Sequence, residues 1–292
     1  MKSLEILQSI NSTHYNAKWT LSTWLYWLIV PVMLIISVLF VFLLNADEIT
    51  RAGYWGMQID FFIKMNEVLS FLPDSLWLNM TYLGDGAVIF ALFSFLIIVR
   101  TQIWAAMFGS AVCAGLMSYF GKKVLHIPRP AGVLDVELFN VIGRTLKGYN
   151  SLPSGHSITI SVTAIAILAT LYAHPSLLKH KLILGVGLLI TLVFCLSRVA
   201  VGAHWPLDII SGLACGWIAA LTGVTLARKY PRWWQSMLEG KRLYISAVIL
   251  LLWALGLIVR AFDEIAAAPV LMVSAFMALC VSCVLFNKSI KG

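Results

Sequence analysis

The sequence predicts an all-α protein, a polytopic membrane bundle of helices. Of its 292 residues, 60% are hydrophobic and only 12% are charged, whereas a soluble domain carries about 25% charged residues. The mean hydropathy is +0.89. Long apolar stretches recur along the chain, and a helix of roughly 20 apolar residues crosses a hydrocarbon core about 30 Å thick. These observations place most of the chain in a membrane.

Eight apolar stretches are long enough to cross the membrane. They are residues 24–44, 79–99, 102–120, 155–174, 181–198, 206–227, 243–260 and 265–286. The first lacks the short apolar region and the cleavage site of a signal peptide, so we expect it to remain as a span. Six spans within residues 1–228 are expected to form the core, and two within residues 229–292 a C-terminal membrane extension.

The net charge of +8 comes from 21 basic and 13 acidic residues, a surplus that could indicate nucleic-acid binding. Its distribution argues against that partner. If the spans alternate from a cytoplasmic N-terminus, the short and strongly basic segment 228–242 lies on the cytoplasmic side. Short cytoplasmic loops of membrane proteins carry an excess of Lys and Arg. The sequence therefore predicts that the lipid bilayer is a partner, that nucleic acid is not, and that both termini are cytoplasmic. It gives no sign of an obligate protein partner.

The segment 57–72 is predicted to form an amphipathic helix in the outer membrane interface. Asp60, Lys64 and Glu67 share one stripe of this helix, and large apolar residues cover much of the rest. Helices with this pattern lie in the interface and do not cross the membrane. Two interpretations are open: the helix covers the bundle, or it guides a lipid that enters from the side.

Three polar motifs interrupt the apolar pattern, and the predicted topology places all of them on the outer side. They are Lys122-x6-Arg129-Pro130 after the third span, Pro153-Ser154-Gly155-His156 at the start of the fourth, and Ser197-Arg198-x5-His204-x3-Asp208 before the sixth. Three separated segments thus bring charged and polar residues to one membrane boundary.

The residue types in these motifs fit a phosphate site. Lys122, Arg129 and Arg198 supply three cations, and arginine binds phosphate oxygens with two parallel hydrogen bonds. Unpaired cations at the edge of the hydrocarbon are costly, so these three need an anionic partner. Ser154 and Gly155 precede the fourth helix, whose free N–H groups and dipole favour an anion.

The two histidines fit nucleophilic catalysis on phosphorus. A histidine can form a covalent phosphoryl intermediate, which divides one difficult displacement into two. His204 and Asp208 share a face if the sixth helix begins between them, which requires Pro206 in its first turn. The carboxylate then fixes the imidazole tautomer and leaves the other nitrogen as nucleophile. His156 is free to protonate the leaving group and later to activate water.

With these residues in place, the segments KKVLHIPRP, PSGH and SRVAVGAHWPLD resemble the signature motifs of the type 2 phosphatidic acid phosphatase superfamily. The resemblance covers about residues 20–228 and shows no departure at a signature position. It implies a metal-independent phosphohydrolase with His204 as nucleophile, Asp208 as its partner and His156 as general acid. It also implies that the phosphate is bound by Lys122, Arg129, Ser154, Gly155 and Arg198.

The expected function is therefore hydrolysis of a membrane lipid phosphate or pyrophosphate through a phosphohistidine, without a metal or other cofactor. Undecaprenyl pyrophosphate, phosphatidylglycerol phosphate, phosphatidic acid and a lipid A phosphate are open as substrates. Charge bias and resemblance together predict a bacterial-type inner (cytoplasmic) membrane, with the active site facing the periplasm or outside.

Two other functions stay open at this point. A phosphotransferase would use the same intermediate and pass the phosphate to an acceptor lipid. A transporter or flippase for phosphorylated lipids would need polar residues through the middle of several spans, which the first, seventh and eighth lack. Two further polar residues have structural interpretations: Asp85 as the N-cap of the second span and His126 as a loop residue, with substrate contact as the alternative for each.

Overall fold

The computed structural model describes residues 20–172 and 178–291, and within these ranges it contains helices and no strand. The predicted all-α class is confirmed. The N-terminus, predicted to be cytoplasmic, and the predicted end of the fourth span at residues 173–174 lie outside the described residues.

Thirteen α-helices follow one another in the described ranges. They are α1 (Leu21–Asn45), α2 (Arg51–Gly56), α3 (Ile59–Leu69), α4 (Asp74–Tyr82), α5 (Gly86–Leu92), α6 (Leu96–Val99), α7 (Thr101–Leu125), α8 (Gly155–Leu171), α9 (Leu178–Ala200), α10 (Pro206–Lys229), α11 (Pro231–Ser236), α12 (Gly240–Asp263) and α13 (Ala268–Lys291). Short 3-10 turns lie at Phe93–Phe95, Pro130–Gly132, Val136–Leu138 and Ile265–Ala267.

Six of the eight predicted spans are single helices long and apolar enough to cross a membrane, namely α1, α7, α9, α10, α12 and α13. The fourth, α8, is a shorter apolar helix of 17 residues. The second is not straight, because α4 and the helical segment Gly86–Val99 meet at 79°. We call residues 83–86, where they meet, the elbow.

A local capping interaction explains the elbow. The Asp85 side chain accepts a hydrogen bond from the backbone N–H of Ala87 at 2.8 Å and thereby begins α5. The predicted capping role of Asp85 is confirmed, but the helix that it caps begins in the middle of the predicted span. Glycines on both sides of Asp85 weaken helix continuation there.

Helix α10 lies at the centre of the core and packs against α7, α8 and α1. Gly212 and Gly216 line its contact with α8. A Cβ on Gly216 would lie 2.3 Å from the carbonyl oxygen of Ile158, and one on Gly212 would lie 2.6 Å from that of Ser154. Small residues four apart allow membrane helices to approach backbone to backbone, so this pair fixes the position of α8 on α10.

The C-terminal hairpin, α12 and α13, packs against the broken second span. Its two helices contact each other and α5, and their buried apolar residues form one cluster with Val88 and Ala91. The indole N–H of Trp253 donates to the carbonyl oxygen of Ala87 at 3.0 Å. The extension is thus attached to the helix that follows the elbow.

Helix α3 occupies the segment predicted to be amphipathic. Asp60, Lys64 and Glu67 are exposed, whereas Asn66 is buried. The Asn66 amide donates to the carbonyl oxygens of Val199 at 2.8 Å and Ala200 at 3.1 Å. These carbonyls belong to the last turn of α9, so the contacts favour the interpretation that α3 covers the bundle. Its placement in the membrane interface stays a prediction.

Candidate active site

A tight turn between α9 and α10 brings the two ends of the third motif together. The backbone N–H groups of Ala203 and His204 both donate to the carbonyl oxygen of Arg198, at 3.0 and 3.2 Å. Gly202 has a φ of +71° in this turn, a left-handed conformation that favours glycine. A Cβ there would lie 2.9 Å from the carbonyl oxygen of Asn140. The five-residue spacing in the motif is the length of this turn.

His204 and Asp208 meet at the start of α10. The helix begins at Pro206, as predicted, and the Asp208 carboxylate accepts from the backbone N–H of Trp205 at 3.1 Å. The Nδ1 atom of His204 lies 3.4 Å from Oδ2 of Asp208. The predicted shared face is confirmed, because a residue just before the helix and one in its first turn are neighbours in space.

Two residues that the motifs did not reveal complete the surroundings of Asp208, which is fully buried. The Ser151 hydroxyl donates to its Oδ2 atom at 2.5 Å, and the Tyr54 hydroxyl donates to its Oδ1 atom at 3.0 Å. The pKa of Tyr54 is raised well above its ordinary value, mainly by burial and secondly by the charge of Asp208. Tyr54 therefore stays a neutral donor. A buried carboxylate needs such donors to remain charged.

The contacts of His204 define its tautomer. Its Nε2 atom lies 3.2 Å from Nη1 of Arg129. A guanidinium has only donors, so Nε2 accepts and the ring proton is on Nδ1, facing Asp208. Burial, followed by the positive charge of Arg129, holds the pKa of His204 well below its ordinary value; Arg198 and His156 add to the effect. The imidazole is therefore neutral, with its lone pair directed at a cation.

Arg129 reaches His204 from the first motif through the loop that follows α7. Its backbone N–H donates to the carbonyl oxygen of Gly148 at 3.0 Å, which folds this loop back on itself. Its Nε atom donates to Asn150 at 2.8 Å, and Nη1 donates to the carbonyl oxygen of Ala203 at 3.0 Å. The first and third motifs thus meet, as the sequence predicted.

None of the three predicted phosphate-binding cations has a carboxylate within 4.0 Å among the described residues. Arg198 is 5% exposed; its Nη1 donates to the Thr81 hydroxyl, while its buried Nε has no hydrogen-bond partner in the described part of the chain. The Nζ atom of Lys122 lies 3.4 Å from the position that a Cβ on Gly155 would take. Arg129 and Arg198 are buried and Lys122 is half-buried, and a group of cations in such surroundings is completed by an anion.

The second motif is joined to the third through the backbone. The N–H of Ser154 donates to the carbonyl oxygen of Asp208 at 3.1 Å, and its side chain caps α8 by accepting from Ser157. His156 lies in the first turn of α8 and packs against the elbow, where a Cβ on Gly84 would lie 2.7 Å from that of His156. His126, by contrast, is exposed at the end of α7 and stacks on Tyr149, which fits a loop residue.

Two cavities meet at His156. The first, of about 570 Å³, is lined by His156, Arg198 and Ala203 and by residues of the elbow and the C-terminal hairpin. The second, of about 420 Å³, lies between α5, α7 and α8, and its lining is largely small or apolar, including Ala111, Ala114 and Gly115. His204 lines neither of them and is 1% exposed. Polar and apolar spaces thus adjoin at the predicted general acid.

Comparisons with known proteins agree with the motifs. Residues 101–233 match the model of the PAP2 superfamily. A lipid A 1-phosphatase of Rhizobium johnstonii is 32% identical over 130 residues, 43% of this chain and 49% of that protein. An undecaprenyl-diphosphatase of Sulfolobus acidocaldarius is 26% identical over 200 residues, 68% of this chain and 89% of that protein. The matches to the lipid A 1-phosphatases span about half of their length.

A crystal structure of Aquifex aeolicus LpxE aligns with 58% of this chain and 95% of its own, at 24% identity and a TM-score of 0.47. The family match covers all three motifs and the helices α7 to α10 that carry them. Residues 101–233, which hold all three motifs, match the PAP2 superfamily, in agreement with the resemblance of the motifs.

Proposed function

We propose that this protein is an integral membrane phosphatase that hydrolyses a lipid phosphate or diphosphate, with His204 as nucleophile. The observation that carries the proposal is the contact of Arg129 with the neutral imidazole of His204, together with two more cations, Arg198 and Lys122, whose charges act on the same ring. None of the three has a carboxylate within 4.0 Å among the described residues. Cations without a counter-ion select an anion, and the lone pair of Nε2 supplies a nucleophile for its phosphorus.

In the first step, Nε2 of His204 attacks phosphorus. The phosphate oxygens replace Nε2 as the acceptor of the Arg129 donors, and Arg198 and Lys122 neutralise the remaining charge. The P–N bond forms while the bond from phosphorus to the leaving oxygen breaks. His156, which takes up a proton when the phosphate dianion binds beside it, donates that proton to the leaving oxygen. Asp208 accepts a hydrogen bond from the Nδ1–H group of the phosphorylated ring and stabilises the positive charge of that ring.

In the second step, water replaces the lipid leaving group. His156, now unprotonated, accepts a proton from the water as its oxygen attacks phosphorus. The P–N bond breaks, inorganic phosphate leaves, and His204 returns to its neutral tautomer. Each step moves one proton through His156, so that both histidines end in their starting states.

The substrate class follows from the membrane spans and the family. Relatives named lipid A 1-phosphatase and undecaprenyl-diphosphatase indicate a phosphate or diphosphate on a membrane lipid. The charge distribution of the loops favours the three motifs on the outer side of the membrane, and together with the family resemblance it favours a bacterial-type cytoplasmic membrane. Phosphatidic acid and phosphatidylglycerol phosphate belong to the same chemical class.

The experiment that tests the proposal uses purified protein and lipids that carry a radiolabelled phosphate. Released inorganic phosphate, and label on the protein after rapid quenching in base, are expected with at least one of the four lipids named above. An acceptor lipid added to the same assay separates hydrolysis from phosphoryl transfer: transfer moves the label to the acceptor. If none of the lipids yields labelled inorganic phosphate or a labelled acceptor, the proposal is wrong.

Activity is expected to be unaffected by excess EDTA. In the proposed mechanism Arg129, Arg198 and Lys122 neutralise the phosphate charge that a metal ion would otherwise neutralise. Initial rates before and after dialysis against EDTA check this, with a magnesium-dependent phosphatase as the positive control for chelation. Loss of activity that added magnesium restores would contradict metal independence.

Replacement of Ser151 with alanine is expected to lower kcat by about 10- to 100-fold, because the Asp208 carboxylate loses a charged-group hydrogen bond. KM should change less, since Ser151 contacts the His204–Asp208 pair. Ser161→Ala is the matched control: it removes a buried hydroxyl that donates to the Leu213 carbonyl at 2.8 Å, away from the motifs. Equal kcat values for the two variants would show that Ser151 has no positioning role.

A further inference from the structure

The C-terminal hairpin contributes side chains to the cavity that holds His156 and Arg198. Arg260 and Asp263 end α12, Glu264 follows it, and all three line this cavity together with Asp85 of the elbow. The helices that carry these residues lie outside the range that matches the family model. The hairpin therefore forms part of a site whose catalytic residues come from the core.

Arg260 is held in a defined position. Its Nη1 donates to Oδ2 of Asp85 at 2.7 Å, its Nε donates to Oε1 of Glu264 at 3.4 Å, and its guanidinium carbon lies 5.0 Å from the centre of the Tyr82 ring. Asp85 uses its other oxygen to cap α5. An arginine fixed by two carboxylates and an aromatic face is preorganised to bind a further group.

The cavity is much larger than a phosphate group requires. A water molecule takes about 30 Å³ of liquid volume, whereas this cavity measures about 570 Å³. Its lining includes the predicted general acid, which faces the leaving group in the proposed mechanism. The additional space is therefore available to the part of the substrate that leaves with the lipid.

The charges of the hairpin and the elbow indicate what kind of leaving group fits. Asp85, Asp263 and Glu264 offset the charges of Arg144 and Arg260, which line the same cavity, so this side of it does not select a second phosphate dianion. The Oε2 atom of Glu264 is buried and has no hydrogen-bond partner in the described part of the chain. A buried acceptor without a donor is unfavourable, and a hydroxyl group supplies that donor while it accepts from Arg260.

We infer that Arg260 and Glu264 are specificity-determining residues that bind a hydroxyl-bearing leaving group, located between the scissile phosphate and the lipid chains. This inference rests on the proposed phosphatase function. It assigns a role to the C-terminal hairpin, in which the hairpin selects among lipid phosphates and the core carries out the chemistry.

The test compares two substrates with the same acyl chains. Phosphatidylglycerol phosphate releases a lipid with a glycerol hydroxyl and a phosphodiester, whereas phosphatidic acid releases diacylglycerol, which has neither besides the hydroxyl formed. Glu264→Leu and, separately, Arg260→Met are expected to lower the ratio of kcat/KM for the first substrate to that for the second by about tenfold or more. Because both rates come from one preparation, partial misfolding cancels in the ratio.

Glu239→Leu is the matched control, since Glu239 is exposed in the basic loop before α12; its ratio should equal that of the native protein. Equal losses on both substrates would overturn the inference and leave a structural role for the hairpin. A larger loss on a polyprenyl diphosphate than on phosphatidylglycerol phosphate would overturn it as well, because the group bound would be a phosphate. So would a fall in the ratio with Arg260→Met but not with Glu264→Leu, because Arg260 would then bind the phosphodiester of phosphatidylglycerol phosphate. If the native protein hydrolyses none of these lipids, the proposed function itself fails.

Discussion

Replacement of His204 with alanine is expected to lower phosphate release by about 10⁴-fold or more, because the covalent step loses its nucleophile. The measurement is kcat on the best lipid of the panel, together with the amount of base-stable label on the protein. Both should disappear.

His126→Ala is the matched control for this variant. It removes an exposed histidine from within the first motif segment, and a surface change of this kind alters free energies by about 0.5 kcal/mol or less. An unfolding transition measured on each variant shows whether the fold survives. Phosphate release by well-folded His204→Ala within tenfold of the native rate would rule out a phosphohistidine at this position.

Replacement of Gly216 with valine is expected to lower the free energy of unfolding by about 3 kcal/mol or more. Its Cβ would lie 2.3 Å from the carbonyl oxygen of Ile158 and 2.7 Å from the Cβ of Ser161. Both are atoms close to the α8 backbone, so the two helices must separate. Thermal unfolding in detergent measures the effect, and a lower Tm should accompany a loss of activity because α8 and α10 carry His156 and Asp208.

Gly185→Val tests whether the effect is specific to this contact. It introduces the same side chain into helix α9, where no described heavy atom outside the adjacent backbone of that helix lies within 4 Å of the new Cβ. Both variants place valine in a helix, so the contribution of its helix propensity cancels in the difference between their Tm values. The remaining difference reports the close contact of α8 with α10. Equal values of Tm would mean that close packing of α8 on α10 does not stabilise the fold.

The parts of the site that follow from local geometry could be predicted from the sequence. His204 and Asp208 are four residues apart at the start of a helix, so their contact depends only on where α10 begins. The convergence of Arg129 with His204 required one more assumption, the alternation of spans across a membrane. Both predictions concern residues whose type and spacing already suggest chemistry.

Tyr54 and Ser151 could not be predicted in this way. Tyr54 is on α2, 154 positions from Asp208, and its role depends on how a short helix packs over the core. Ser151 lies beside the second motif, in a polar stretch where any of several hydroxyl or amide groups could have met the carboxylate. Contacts between distant segments are set by tertiary packing, which neither composition nor spacing specifies.

The elbow was missed for a different reason. Hydropathy over residues 79–99 measures how apolar a stretch is, and it does not measure whether the helix is continuous. The sequence Gly84-Asp85-Gly86 contains the signal, since aspartate between glycines favours a helix start over a helix interior. The same change of direction places Asp85 beside Arg260, a partner 175 positions away.

The small-residue cavity between α5, α7 and α8 offers space for the chains of the proposed lipid substrate, and such binding would determine the kinetics. A lipid whose chains occupy a space between helices arrives by sideways diffusion within one leaflet, so its search is two-dimensional. The encounter rate then depends on the mole fraction of substrate among the surrounding lipids. Diluting the substrate with inert lipid slows turnover even when the amount of substrate per volume is unchanged, whereas diluting the vesicles with buffer does not.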